Sequence, residues 1–196
     1  MKKKSEVVED KILYLTKLKE KFGYYPDYIR LDNSGENVKL SEEVKRRVST
    51  QIKFEFVSKN TPQQNGLVER DIATIWGRTR AMMSAARLPT NIRERLWGEL
   101  FRTAADIINM SASHMDDKTR NEKWENILPD FVKEMHPIGE IEIVYRSKKS
   151  AKIDDKGLAT MLVGYADQHS KGTFRMWNLT TRKISITRDV TWLNKN

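Results

Sequence analysis

The sequence has no cysteine among its 196 residues. Disulfides and Cys-ligated zinc are therefore excluded within it, and the composition suits a reducing compartment. Histidine is scarce too. His114, His136 and His169 lie far apart and follow no metal-ligand spacing, so no zinc site is expected. No run reaches the roughly 18 apolar residues of a membrane span, and no membrane partner is expected. Met1-Lys2-Lys3-Lys4 is not followed by the apolar run of a secretory signal. Acidic side chains are in the minority: 27 Asp+Glu stand against 36 Lys+Arg, a net charge of +9. A basic excess of that size favours a polyanionic partner. Hydrophobic residues, at 38%, suffice for an ordinary core in one large or two small domains.

Periodicity predicts a helix over 5–22, with Ser5 as cap and Val8, Ile12, Leu15 and Phe22 at helical spacing. Pro26 ends it. A short strand follows over 28–31, with Asp32 at its carboxyl end and turn chemistry in Asn33-Ser34-Gly35. Ser41 can cap a short helix to about 49, and Ile52, Phe54 and Phe56 alternate as in a half-buried strand. Residues 58–66 form a polar loop. Helices are then predicted over 67–87, with Val68, Ile72, Ile75, Thr79, Met82 and Ala86 as the inward stripe, and over 92–110. Asn91 and Glu94 have capping-box spacing at the second of these. Trp76 and Trp97 read as packing residues. From about 138 the pattern changes to short strands near 141–145, 161–165, 173–177 and 183–190, with a hairpin turn at 178–181, which suggests a small barrel. Residues 138–196 hold 11 Lys+Arg against 6 Asp+Glu, so more than half of the net charge falls in under a third of the chain.

Two carboxylates, Asp32 at a strand end and Glu69 near a helix start, could share a hard divalent cation with phosphate oxygens. Arg70, Arg78 and Arg80 are on the same helix as Glu69, and Lys59, Gln63, Gln64 and Asn65 are in the loop before it. Carboxylates beside phosphate-binding donors are the composition of a phosphodiester-processing site. The plainer reading makes Asp32 a turn former and Glu69 a partner of the helix dipole.

Leu31-Asp32-Asn33-Ser34-Gly35-Glu36 and Thr61-Pro62-Gln63-Gln64-Asn65-Gly66-Leu67-Val68-Glu69-Arg70 closely resemble the integrase core of copia-type retrotransposons. Leu88-Pro89, Trp97-Gly98-Glu99, Thr103-Ala104-Ala105 and Asn109 continue the resemblance. Val163-Gly164-Tyr165, Ser170-Lys171-Gly172 and residues 185–190 resemble the SH3-like module that follows that core.

The resemblance implies an α/β (α+β) fold: a partial ribonuclease-H-like core over 1–130 that lacks its first strands, then an SH3-like β-barrel over 138–196. It implies an Asp-Asp-Glu triad with Mg²⁺ (or Mn²⁺), acting in 3′-end processing and strand transfer. Asp32 matches the second Asp and Glu69 the Glu, with 36 residues between them. The first Asp of the family lies on an opening strand, and this sequence starts only 31 residues before Asp32. Asp10 and Asp27 are poor substitutes, so the chain alone is expected to be inactive. Ser34 stands where Gly is usual. The implied partner is double-stranded DNA, both element ends and target, held by a homo-oligomer in the nucleus or in a cytoplasmic particle. The expected DNA contacts are Gln63, Gln64, Asn65, Gly66, Arg70, Arg78, Arg80, Lys171, Arg175 and Arg188, with Arg182 and Lys183 as further phosphate candidates. Two other readings are a non-catalytic nucleic-acid-binding remnant and an interaction module.

Overall fold

A computed structural model describes residues 4–48, 52–57, 66–112, 117–126, 135–145, 155–166, 169–170 and 172–193. The chain divides into two compact units, Met1–Arg70 and Asp71–Asn196.

In the first unit α1 (Lys4–Phe22) leads into β1 (Tyr28–Asp32), α2 (Gly35–Arg47) and β2 (Lys53–Val57). The strands are parallel, with Ile29 opposite Phe54 and Leu31 opposite Phe56. A helix between parallel strands is the expected βαβ connection. Val8 and Leu15 of α1, Leu40 and Val44 of α2 and Ile52 form the core, against which Ile29, Leu31 and Phe54 pack. The opposite sheet face is polar. Arg30 pairs with Glu55 at 2.9 Å and Lys53 donates to the Tyr28 hydroxyl at 3.2 Å. Asp32 shares that face. On the helix side, Arg47 bridges Glu9 of α1 at 2.9 Å and Glu43 at 2.8 Å, and this guanidinium holds the Glu9 carboxyl below its ordinary range.

The helix α2 begins seven residues earlier than the Ser41 cap predicted. Its N-cap is Ser34, and Ser41 is buried within the helix, donating to the Val38 carbonyl at 2.8 Å. A hydroxyl satisfied by a carbonyl of the preceding turn is the alternative to capping for a helical serine.

Helix α3 (Gly66–Ala85) spans the division between the units. In the second unit α4 (Thr90–Met110) and α5 (Arg120–Glu125) precede a five-stranded antiparallel sheet. Its strands β3 (Ile141–Tyr145), β4 (Gly157–Tyr165), β5 (Phe174–Asn178), β6 (Ile184–Thr187) and β7 (Val190–Thr191) run in the order β6-β5-β4-β3-β7. One core joins Met83, Leu88, Leu96 and Leu100 of the helical region to Met161, Val163 and Trp177 of the sheet. A second holds Val144, Leu162, Tyr165, Phe174 and Met176. Leu162 and Tyr165 share that cluster although three apart, because the β4–β5 register shifts between Leu162 and Gly164. A bulge adds one residue and resets which face a side chain meets. Burying β4 and β5 on both faces makes the helical pair and the sheet one unit.

Several local expectations change. The Asn91/Glu94 capping box is not formed: Pro89 is the N-cap of α4 and makes no side-chain cap bond. A reciprocal capping box stands instead at Thr119 and Glu122 of α5, and the hydrogen bonds from Thr119 lower the Glu122 pKa. On α3 the buried side chains are Thr79 and Met83, whereas Val68 and Ile72 are exposed. Trp76 and Trp97 do pack, but on each other at the surface, with ring centroids 5.6 Å apart. In β3 the buried residues are Glu142 and Val144, and Ile141 and Tyr145 are exposed. Glu142 accepts the Leu193 backbone N–H at 2.5 Å, fastening the segment after β7. The hairpin turn is as expected: Asn178 Oδ1 accepts the Thr180 and Thr181 N–H groups at 2.9 and 2.7 Å.

Gly164 lies at the bulge, where an added Cβ would fall on the Arg175 guanidinium and the Thr103 hydroxyl. Both are buried and hydrogen-bonded to each other, so neither can yield cheaply. Gly164→Ala is therefore expected to destabilise the second unit by about 2 kcal/mol, measured by denaturant unfolding. A change below about 0.5 kcal/mol, the range of ordinary surface substitutions, would show that the bulge relaxes around a methyl group.

Candidate nucleic-acid and metal site

Asp32 closes β1 at the carboxyl end of the parallel pair, where an α/β unit opens its crevice. It is exposed, and two side chains meet its Oδ1: the Ser34 hydroxyl donates at 3.3 Å, and the Asn37 amide donates as well. Asn37 is buried on the first turns of α2 and also donates to the Asp32 carbonyl at 3.2 Å. Among the described residues no hydrogen bond or ion pair engages Oδ2. An accessible carboxylate with one oxygen braced and no basic side chain paired to it fits one share of a hard divalent cation.

Glu69 is exposed in the first turn of α3, directly after Gly66 opens the helix. A carboxylate there has no basic partner among the described ion pairs, so it too can donate oxygen to a cation. Among the described residues no group of three or more His, Asp or Glu could hold a metal ion. Asp32 and Glu69 lie on separate elements, β1 and α3, and no described hydrogen bond or ion pair joins them.

Among the expected DNA contacts, Gly66 is half-buried at the start of α3, and the others divide into three groups. Gln63, Gln64, Asn65 and Lys171 lie outside the described residues, as does Lys59. Arg70, Arg78, Arg80 and Arg188 are exposed, as are Arg182 and Lys183. Arg175 is not available: its side chain is 4% exposed. It reaches from β5 to α4, donating to the Thr103 hydroxyl at 2.7 Å and pairing with Glu99 at 3.2 Å and Asp106 at 3.9 Å. Thr103 in turn donates to the Val163 carbonyl at 2.6 Å. Arg175 is therefore a buried tie between helix and sheet and leaves the set of DNA contacts. The signal that could have shown this is the row Glu99, Thr103, Asp106, which puts polar groups at helical spacing on a face that also carries Leu96 and Leu100.

Two histidine and tyrosine contacts were not anticipated. His136 stacks on Trp192 with centroids 3.5 Å apart. The Tyr165 hydroxyl both donates to the His136 carbonyl and accepts its N–H, each at 3.0 Å, and burial pushes the Tyr165 pKa up. These contacts fasten the approach to the sheet and have no catalytic geometry. Among the described residues no helix is long and apolar enough to cross a membrane.

Most of the five-stranded antiparallel sheet corresponds to a known module. Residues 143–196 match the retroviral polymerase SH3-like domain. Over 165 residues the chain is 30% identical to the retrovirus-related Pol polyprotein from transposon TNT 1-94 of Nicotiana tabacum, an alignment that covers 83% of this chain. Similarity to a copia-type retrotransposon Pol polyprotein thus runs along most of the chain, which spans about 12% of the length of that relative.

Proposed function

We propose that the chain is the part of a retrotransposon integrase that supplies two carboxylates of the catalytic triad, Asp32 and Glu69, together with the DNA-facing helix α3. The observation that carries this reading is the state of Asp32: exposed at the end of a parallel strand, braced through Oδ1, and unpaired with any described base. A divalent cation bound there would polarise a phosphodiester and lower the pKa of the attacking water or 3′-hydroxyl. The residues of this chain have the remaining tasks. Asp32 and Glu69 fix where the cation and scissile phosphate sit. Arg70, Arg78 and Arg80 neutralise phosphates along the helix, and Arg188 does so from the sheet.

The two carboxylates alone hold such a site weakly, since an in-line displacement needs both attacking and leaving oxygens clamped. The chain by itself is therefore expected to be inactive, and activity is expected with a supplied segment bearing the first Asp on its strand. The test is Mg²⁺- or Mn²⁺-dependent joining of a labelled DNA end to a target duplex, with and without that segment. Joining only on complementation supports the proposal. Failure of every combination, with salt-dependent DNA binding intact, would favour the non-catalytic nucleic-acid-binding reading, which the +9 charge supports.

A further inference from the structure

We propose that Ser34 and Asn37 are positioning residues for the Asp32 carboxylate: they hold Oδ1 and leave Oδ2 for a divalent cation, with Lys11 setting the orientation of the Asn37 amide. This rests on the reading of Asp32 as a metal-binding carboxylate.

Three observations converge on it. First, Asn37 is 6% exposed, yet its amide is fully used. Its nitrogen donates to Oδ1 and to the backbone carbonyl of Asp32, and its oxygen accepts from the Lys11 ammonium at 2.6 Å. Flipping the amide would set oxygen against two acceptors and nitrogen against an ammonium, so a single orientation is allowed. That orientation presents a donor to the carboxylate. Second, Ser34 is the N-cap of α2 but makes no side-chain cap bond. Its hydroxyl goes to Asp32 Oδ1 at 3.3 Å. A serine in that position ordinarily accepts a backbone N–H of the first turn, and here its described hydrogen bond goes to the carboxylate instead. Third, both donors choose the same oxygen. A carboxylate held by two donors on one oxygen loses rotation about its last torsion, which presents the other oxygen in one direction.

The arrangement crosses three elements: Lys11 on α1, Asn37 on α2 and Asp32 on β1. The core of this unit holds those elements together, so the geometry of the carboxylate follows from packing that lies behind it. A merely structural role, tying α2 to the end of β1, would require only the bond to the Asp32 carbonyl.

The experiment uses the whole chain and Mn²⁺ alone. Residue-resolved paramagnetic broadening at the amides of 31–35 reports binding at Asp32, and a titration gives the affinity. Asn37→Leu keeps the buried volume and removes the donor; affinity at this site is expected to fall about 10-fold. Ser34→Ala removes the second donor at a half-exposed position, and a fall of about threefold is expected. Asp32→Asn should abolish the local broadening. If Asn37→Leu and Ser34→Ala bind Mn²⁺ as the parent does, while Asp32→Asn does not bind, the positioning role is overturned and the metal reading stands. If Asp32→Asn leaves the broadening unchanged, the metal reading itself fails. Should Asn37→Leu fail to fold, Ser34→Ala decides alone: unchanged affinity overturns the proposal and weakened affinity supports it.

Discussion

Asp32→Asn and Glu69→Gln are each expected to lower strand transfer by the complemented chain about 10³-fold or more, while DNA affinity and its salt dependence stay the same. The two substitutions remove one negative charge each and change no volume. Loss of either carboxylate leaves the cation held from one side, and groups that act as a unit fail together rather than in proportion. Phosphate neutralisation is a separate property. It depends on how many basic side chains meet the backbone, and its signature is the slope of log affinity against log salt. Arg78→Ala or Arg80→Ala should therefore do the reverse, lowering that slope by about 1 each with no selective effect on chemistry. Electrophoretic-mobility titrations across a salt series, run beside the joining assay, separate the two classes. A carboxylate variant that loses DNA binding in parallel with activity would mean that these residues support the fold or the interface rather than the reaction.

Arg175→Ala is expected to have the largest effect on stability. The guanidinium is 4% exposed and faces Glu99 and Asp106, whose side chains are 33% and 22% exposed. Removing the cation leaves two carboxylates close together in a partly dry pocket and takes away the hydrogen bond to Thr103. Breaking a buried pair from one side costs about 3–5 kcal/mol. Partial solvation of the acids places the expected loss at the lower end, about 3 kcal/mol. The melting transition of the second unit should drop by about 10 °C, and the near-ultraviolet signal of Trp177, buried in the joining core, should change with it. Replacing all three charged residues by apolar ones should restore most of the loss, because the desolvation cost disappears with the charges. A transition within about 2 °C of the parent for Arg175→Ala would show that water reaches the pocket and that the tie adds little.

What could be read from the sequence follows the reach of each signal. Short motifs single out Asp32 and Glu69, and motifs survive without any knowledge of packing. The strands near 28 and 52 were legible because alternation is local, and so were the two long helices. Ser41 misled because serine is a good cap and also a tolerable helix residue when its hydroxyl turns back to a carbonyl; only the geometry at Val38 decides. Asn91 and Glu94 had the right spacing for a capping box, but Pro89 begins the turn. Arg175 was misassigned because a basic residue in a basic segment looks solvated. Its burial depends on α4, 72 residues upstream of it at Thr103, lying over β5. The bracing of Asp32 was likewise invisible, since it joins Lys11 to Asn37 across 26 positions. The exposed Val68 and Ile72 show the remaining gap: periodicity finds a stripe but does not say what covers it.

The most direct test of the central claim, that Asp32 and Glu69 serve one divalent cation, is a Mn²⁺ titration of the complemented chain followed by residue-resolved line broadening. The account predicts that the amides around Asp32 and those around Glu69 broaden together, with one concentration dependence, and that Glu69→Gln weakens the broadening at Asp32. Two independent concentration dependences, or broadening at Asp32 that ignores Glu69→Gln, would contradict it.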